Sequence, residues 1–252
     1  MRKAKLLMAV TFLLISGSYA QTITNNPALV PPQTLCQNTA ATPLTVTATG
    51  TGLIYQWYRN TSASYVGATA IPGANAATYT PSTASDGSLY YYCWVIAATN
   101  YGGRTWMNQN LNVDHYRNGD SIMEVSSPGA WVGLTTGAWC HVDGKAANDA
   151  IYGKLYNWYA VNDSRGLAPY GWHIPSVAEF NSGGYINVGN FFSTKAGYRE
   201  TNGKYYHLNK HGNWWTRSQE SAGNKTAWFF QNGWKQLLDY KILGMSVRCI
   251  KD

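Results

Sequence analysis

The stretch Gly212–Glu220, GNWWTRSQE, places two tryptophans side by side in polar surroundings near the end of the chain. Successive side chains of a β-strand point to opposite faces, so one tryptophan can be buried while its neighbour faces outward. We interpret Trp215 as part of a core and Trp214 as the rim of a binding face. Which fold supplies that core depends on the sequence on either side.

The first 20 residues have the pattern of an export signal. One arginine and two lysines surround the start of an apolar run, Leu6–Ile15, which is too short to span a bilayer. Ser18-Tyr19-Ala20 places small residues where a signal peptidase cuts, so residues 1–20 are a predicted signal peptide and Gln21 the mature N-terminus. A membrane anchor is the alternative. We expect the chain in the extracellular space or at the outer cell surface, with no transmembrane segment.

The charge of the chain argues against nucleic-acid binding. The predicted signal holds three of the 19 basic and none of the 12 acidic residues, which leaves 16 basic against 12 acidic, a net charge of +4. The basic residues form no run or stripe. Charged residues are 12% of the chain and aromatic residues 14%. Such an uncharged, aromatic composition is typical of extracellular β-rich proteins.

Residues 21–98 have the pattern of a β-sandwich. Short alternating runs, among them PLTVTATG and LYYYCWVIAA, are separated by turn residues. The order Cys36, Trp57, Cys93, with Tyr91 two residues before the second cysteine, resembles an immunoglobulin-type domain, in which a tryptophan packs on the disulfide that joins the sheets. The resemblance implies an Ig-like sandwich that acts as a spacer.

Four cysteines in an exported chain predict two disulfides. Four cysteines allow three pairings, and the division of the chain into two domains selects Cys36–Cys93 and Cys140–Cys249. We therefore expect no free thiol.

Residues 99–252 differ from the first region in composition. They hold all five histidines and nine of the eleven tryptophans, and TNYGG at the boundary is typical of a linker. Apolar spacing predicts a helix over Asp149–Val161. Ser176 and Glu179 form a capping box that begins a second helix. Asn232-Gly233 predicts the turn of a hairpin with the strands TAWFF and WKQLLD.

Several ordered motifs in this region resemble one family. They are RTWMNQNLNV, YRNGDSI, GAWC, YGKLYNWYAVND, GLAPYGWHIPSVAEF, GYRETNGKYY, GNWWTRS and SVRCIKD. Together they are similar to the Fibrobacter succinogenes major paralogous domain from about Arg104 to Asp252. The resemblance implies a C-type-lectin-like fold related to the formylglycine-generating enzymes. The predicted fold class is thus β-rich, with an N-terminal Ig-like β-sandwich and a C-terminal α+β C-type-lectin-like domain.

The resemblance also implies a ligand-binding face. Relatives with a similar C-terminal sequence resemble targets of diversity-generating retroelements, in which the stretch before the last strand is hypervariable and binds ligand. Here that stretch covers about residues 218–243, where aromatic and adaptable polar side chains suit a binding surface. The candidate ligand-binding residues are Trp214, Arg217, Gln219, Asn224, Lys225, Phe229, Gln231, Trp234, Gln236, Asp239 and Tyr240.

The sequence gives little indication of catalysis, of a metal or of a cofactor. His207 and His211 have the spacing of a helical metal pair, but their surroundings predict a strand and a turn, and we find no third ligand. Glu179 and Glu220 are possible paired carboxylates, but the first has a capping role.

The leading hypothesis is therefore non-enzymatic recognition of an extracellular glycan or protein. A structural subunit that packs on other envelope proteins is the second hypothesis. An enzyme of the formylglycine-generating type is the third.

Overall fold

The computed structural model describes residues 3–6, 33–64, 67–182, 194–221, 225–232 and 235–252. The chain divides into two compact units between Ala98 and Thr99. Strands make up much more of the structure than helices, so the predicted β-rich class is confirmed. Among the described residues, no helix is long and apolar enough to cross a membrane.

Where the structure describes the first unit, its regular elements are all strands. Its longest pairing is antiparallel, between β4 and β7, and runs from Leu53 opposite Ala97 to Asn60 opposite Tyr90. β1 lies between β2 and β7 in the sheet, and β3 pairs separately with β6. The strands are β1 (Lys3–Leu6), β2 (Gln33–Cys36), β3 (Leu44–Thr45), β4 (Leu53–Asn60), β5 (Thr69–Ala70), β6 (Thr78–Tyr79) and β7 (Gly87–Tyr101).

The core of the first unit surrounds Trp57, which is fully buried and packs with Leu44, Val46, Tyr91 and Cys93. Alternation along β4 and β7 places Trp57, Tyr91 and Cys93 on one face of the sheet. The Trp57 indole N–H donates to the carbonyl of Ala76 at 2.9 Å, so its polar atom is satisfied inside the core.

The predicted disulfides are absent, because all four cysteines are free thiols. While the predicted signal peptide is attached, β1 separates the strands of Cys36 and Cys93, so their Cα atoms are at least about 9 Å apart, more than a disulfide spans. Cys140 lies against Arg199 and Tyr205, whereas Cys249 has different charged neighbours. The prediction of two disulfides is therefore wrong for this structure.

The described residues of the second unit form four small sheets and short helices. β12, β18 and β8 form one sheet with the end of β7, and the other three are β9–β10–β11, β13–β14 and β15–β16–β17. Its strands are β8 (Arg104–Met107), β9 (Met123–Glu124), β10 (Ala138–His141), β11 (Lys154–Tyr156), β12 (Trp172–His173), β13 (Tyr198–Arg199), β14 (Tyr205–Tyr206), β15 (Asn213–Gln219), β16 (Thr226–Gln231), β17 (Lys235–Tyr240) and β18 (Ile250–Lys251). Its α-helices are α1 (Pro128–Trp131), α2 (Asp149–Tyr152), α3 (Trp158–Val161) and α4 (Val177–Ser182).

The predicted helix over Asp149–Val161 is wrong, because the segment forms α2, β11 and α3 in turn. Gly153 ends α2 with a φ of 68°, and a Cβ there would lie 2.7 Å from the carbonyl oxygen of Leu111. The next residues extend as β11 and pair with β10, so that Tyr156 lies opposite Trp139. Pairing with a distant strand thus overrides the local helical spacing.

The second predicted helix and the hairpin are confirmed. The Glu179 amide donates to Ser176 Oγ at 3.2 Å, and the Ser176 amide donates to Glu179 Oε2 at 2.8 Å, which completes the capping box of α4. The hairpin strands β16 and β17 pair from Thr226 opposite Tyr240 to Gln231 opposite Lys235.

Candidate functional site

The candidate binding residues lie on two different sides of the sheet β15–β17. Cross-strand partners share a face, so the register assigns each residue to a side. Ala227 lies opposite Asp239 and Gln231 opposite Lys235, and these define one side. On the other side are the pairs Thr226 with Tyr240, Phe230 with Gln236, and Trp214 with Phe230. The predicted set therefore does not form one continuous face.

Trp214 is fully buried, so its prediction as an exposed rim is wrong. It packs in a cluster with Trp106, Phe180, Phe230 and Ile250, contributed by other elements of the unit. Strand alternation does place Trp214 and Trp215 on opposite faces of β15. However, α4 and β18 cover the Trp214 face, which we predicted from the sequence to be exposed. Both tryptophans of the opening motif are therefore part of the frame.

A buried hydrogen-bond centre holds the Trp214 indole in place. Its N–H donates to Asn110 Oδ1 at 2.7 Å, and the same oxygen accepts from Arg248 at 2.8 and 3.2 Å. Burial lowers the pKa of Arg248 to about 9. Asn110 is thus the shared acceptor of an indole and of a buried cation.

Phe229, another candidate ligand-binding residue, is also buried. Its ring meets that of Trp215 edge to face, with centroids 5.9 Å apart. The Trp215 indole N–H donates to the carbonyl of Tyr156 at 2.9 Å. Phe229 therefore belongs to the core and not to an exposed binding surface.

Tyr240 and Gln236 lie on the exposed part of the side that also carries Trp214. The side chain of Tyr240 is 53% exposed. Gln236 accepts a hydrogen bond from Asn181 at 3.2 Å. These two residues are accessible, but they lie on the opposite side of β17 from Asp239.

A row of aromatic rings flanks the other side of the sheet. We call Tyr198, Tyr206, His207 and His211 the ring row. Its centroid distances are 6.1 Å for Tyr198–Tyr206, 5.7 Å for Tyr198–His207 and 4.4 Å for His207–His211. Gln231 lies at its end, with Nε2 3.5 Å from His211 Nδ1. The structure thus brings one predicted residue next to rings that the sequence did not assign to the site.

The two histidines reach this row through a turn rather than a helix. His207 has a φ of 61°, and its carbonyl accepts from the amides of Lys210 and His211. Burial, His207 and the nearby lysines lower the pKa of His211. Within the described parts of the chain, no three His, Cys, Asp or Glu side chains group as a metal site requires.

Asp239 gives the ring row an acidic neighbour. Burial raises the pKa of this carboxyl, and Glu200 raises it further, whereas the amide of Tyr240 donates to it at 2.8 Å. The pKa of Tyr198 is raised by burial and by both acids. The acceptor oxygens of two carboxylates therefore lie near the stacked rings.

The remaining candidates make separate contacts. Arg217 is exposed and lies 3.2 Å from Glu179 Oε2, and Gln219 accepts from Lys241 Nζ at 2.7 Å. Burial raises the pKa of Glu179, but hydrogen bonds from Ser176 and His173 and the charge of Arg217 outweigh it and lower this pKa to about 2. Lys225 is exposed. The candidates outside the described residues are Asn224 and Trp234.

Comparison with protein families identifies part of the second unit. Residues 99–182 match the Fibrobacter succinogenes major domain. The match confirms the predicted family over a third of the chain, and the sheet β15–β17 lies beyond the matched residues. No curated protein and no solved structure matches the chain.

The matched segment also contains a hydrogen-bonded Asp114–His115–Ser121 relay that the sequence did not reveal. His115 Nδ1 lies 2.7 Å from Asp114 Oδ1, and His115 Nε2 lies 3.1 Å from Ser121 Oγ. A β-bridge places His115 opposite Ser121 across a tight turn. No motif spacing marks these residues, and only the fold of the turn brings them together.

Proposed function

We propose that the second unit is an exported recognition module that binds an extracellular glycan or protein without catalysing a reaction. Its binding surface is the ring row together with Gln231 and Asp239. The observation that carries this proposal is the series of stacked rings beside a half-buried carboxylate. Flat rings with adjacent polar acceptors suit the faces and hydroxyl groups of sugars, and they also suit aromatic or aliphatic anchors of proteins.

The rings need little reorganisation to bind. Each ring of the row is already in contact with another ring, and the buried tryptophans fix the sheet behind Gln231 and Asp239. A preordered surface loses less side-chain entropy when the ligand binds. We propose that the interaction is independent of metal ions.

A screen of the purified full chain tests this function. The protein is applied to a glycan array and to host and bacterial surface extracts, with and without a chelator. We expect saturable binding that survives the chelator and is lost in Tyr206→Ala. Tyr240→Ala is the matched control, because Tyr240 is an exposed tyrosine on the opposite side of the sheet. Equal loss in both variants, or stable co-purification with one envelope protein and no binding elsewhere, would favour the structural subunit instead.

We also propose that residues 1–20 are removed on export. β1 (Lys3–Leu6) lies within this segment, so its pairing with β2 and β7 exists only before cleavage. Mass spectrometry of protein recovered from the medium or cell surface should show Gln21 as the first residue. An intact Met1 on the exported protein would contradict the cleavage.

A further inference from the structure

The segment 99–182 contains a cleft of about 420 Å³ that is separate in sequence from the ring row. Its lining comes from β9 and the turn before it, the segment before β10, and α3 with the loop that follows it. The lining includes Ser121, Thr135, Thr136, Tyr159, Asp163 and Arg165. Four of these six side chains end in a hydroxyl group, which can both donate and accept hydrogen bonds.

The charges in the cleft neutralise each other. Arg165 Nε and Nη2 donate to the two oxygens of Asp163 at 2.9 and 2.8 Å. These hydrogen bonds lower the pKa of Asp163 to about 2, so the carboxylate stays ionised at neutral pH. A ligand with a net charge would gain little here, since each charged group already has its counter-ion within bonding distance. The cleft therefore suits a neutral polar ligand.

The ion pair is also fixed in place. The guanidinium lies 4.1 Å above the ring of Tyr116, and Asp120 Oδ2 lies 3.4 Å from Arg165 Nη1. Gly137 allows Tyr116 and α3 to pack closely against this segment, because a Cβ there would overlap the Tyr116 hydroxyl and lie 3.0 Å from the Cα of Ala160. A rigid pair presents donor and acceptor atoms in a constant arrangement, which favours specific binding.

The relay orients one hydroxyl at the cleft. Ser121 lines the cleft, and its Oγ is held by His115 Nε2 at 3.1 Å while Asp114 fixes the other ring nitrogen. A hydroxyl held in this way loses less rotational freedom when it contacts a ligand. Thr135 and Thr136 are exposed and supply further hydroxyl groups.

We propose that this cleft binds a neutral polyhydroxylated ligand of about monosaccharide size. The hydroxyl groups of Ser121, Thr135 and Thr136 pair with ligand hydroxyls, and the ring of Tyr159 borders the ligand. The site is independent of the ring row and shares no residue with it.

Saturation-transfer NMR of the full chain tests the proposal. The probes are neutral monosaccharides (glucose, galactose, mannose and N-acetylglucosamine), with glucuronic acid and glucosamine as charged counterparts. We expect transfer to at least one neutral sugar, with a Kd on the order of 1 mM, and weaker transfer to the charged sugars. The double variant Ser121→Ala/Thr135→Val should bind about tenfold more weakly, since it removes two hydrogen-bonding groups without a large change in volume.

Two controls separate this site from the proposed recognition surface. Tyr206→Ala should leave transfer to the monosaccharide unchanged even where it abolishes binding on the array. The double variant should retain its circular dichroism spectrum and melting temperature, because the altered side chains are exposed. No transfer to any neutral sugar, unchanged affinity in the folded double variant, or a preference for glucuronic acid would each overturn the proposal.

Discussion

Replacing Asn110 should disrupt the buried hydrogen-bond centre of the second unit and lower its stability. Its Oδ1 accepts from the Trp214 indole and from Arg248, and its Nδ2 donates to the carbonyl of Tyr152 at 2.9 Å and to Ser246 Oγ at 3.2 Å. Asn110→Ala removes all of these contacts inside the core. Each hydrogen bond lost from a buried donor or acceptor costs about 1–3 kcal/mol, with those to a charged group at the upper end, so we expect a total loss of about 3–5 kcal/mol. For a unit of this size, each kcal/mol lowers Tm by about 2–4 °C, so we expect a drop of roughly 10 °C.

Asn110→Asp tests the acceptor role of this side chain separately from its donor role. The carboxylate keeps the acceptor for Trp214 and adds a negative charge beside Arg248, but it loses the two bonds donated by Nδ2. Each lost neutral hydrogen bond contributes about 1 kcal/mol. We therefore expect Asn110→Asp to be less destabilising than Asn110→Ala.

Differential scanning calorimetry of the full chain measures both variants. The two units need not unfold together, so the transitions must be assigned. Leu44→Ala, in the core of the first unit, should shift only the other transition. A loss below about 1 kcal/mol in Asn110→Ala, or greater stability of Asn110→Ala than of Asn110→Asp, would refute the shared-acceptor role.

Three other predictions follow from contacts in the structure. Gly212→Ala should lower the melting temperature strongly, because the new Cβ would lie 2.7 Å from Cζ3 of Trp214; an unchanged thermal transition would contradict this packing. The Glu179 carboxylate has its pKa lowered from 4.5 to about 2, so its contribution to stability is present above pH 4.5 and lost as pH falls through 2. Urea unfolding of Glu179→Gln should therefore depend less on pH in this window than that of the parent, and identical pH profiles would count against the prediction. Ser121 should not react with a fluorophosphonate probe, since the Asp114 side chain is 42% exposed and solvent weakens its effect on the histidine; labelling that disappears in Ser121→Ala would show a nucleophile and contradict the non-enzymatic proposal.

The thiols supply a further test. Burial raises the pKa of Cys93 to about 12 and that of Cys140 to about 11, so these thiols should react slowly with iodoacetamide in the native protein at pH 8. After unfolding without reductant, mass spectrometry should show four alkylated cysteines. Two intact disulfides would restore the sequence-based pairing.

In the second unit, the capping box and the hairpin were predicted correctly from short sequence patterns. The capping box at Ser176 and the hairpin around β16 and β17 depend on residues a few positions apart, and both are present. The predicted helix over Asp149–Val161 is not formed, because the centre of this segment pairs with β10 from another part of the chain. The spacing of apolar residues within a segment contains no information about a pairing strand elsewhere in the chain.

The candidate site was predictable only in part, for the same physical reason. Alternation correctly separated Trp214 from Trp215, but it could not show that both faces of β15 are covered. The register of the hairpin then placed Asp239 and Tyr240 on opposite sides, while a distant turn brought His211 to Gln231. Which rings meet at the surface depends on tertiary packing.

Hydrogen–deuterium exchange with the bound ligand tests the proposed recognition surface most directly. The full chain is compared with and without the ligand identified on the array or in the surface extract. We expect slower exchange in residues 198–211 and at Gln231, with residues 114–123 unchanged. No protection in residues 198–211, with binding still measurable, would contradict the assignment of the ring row as the binding surface.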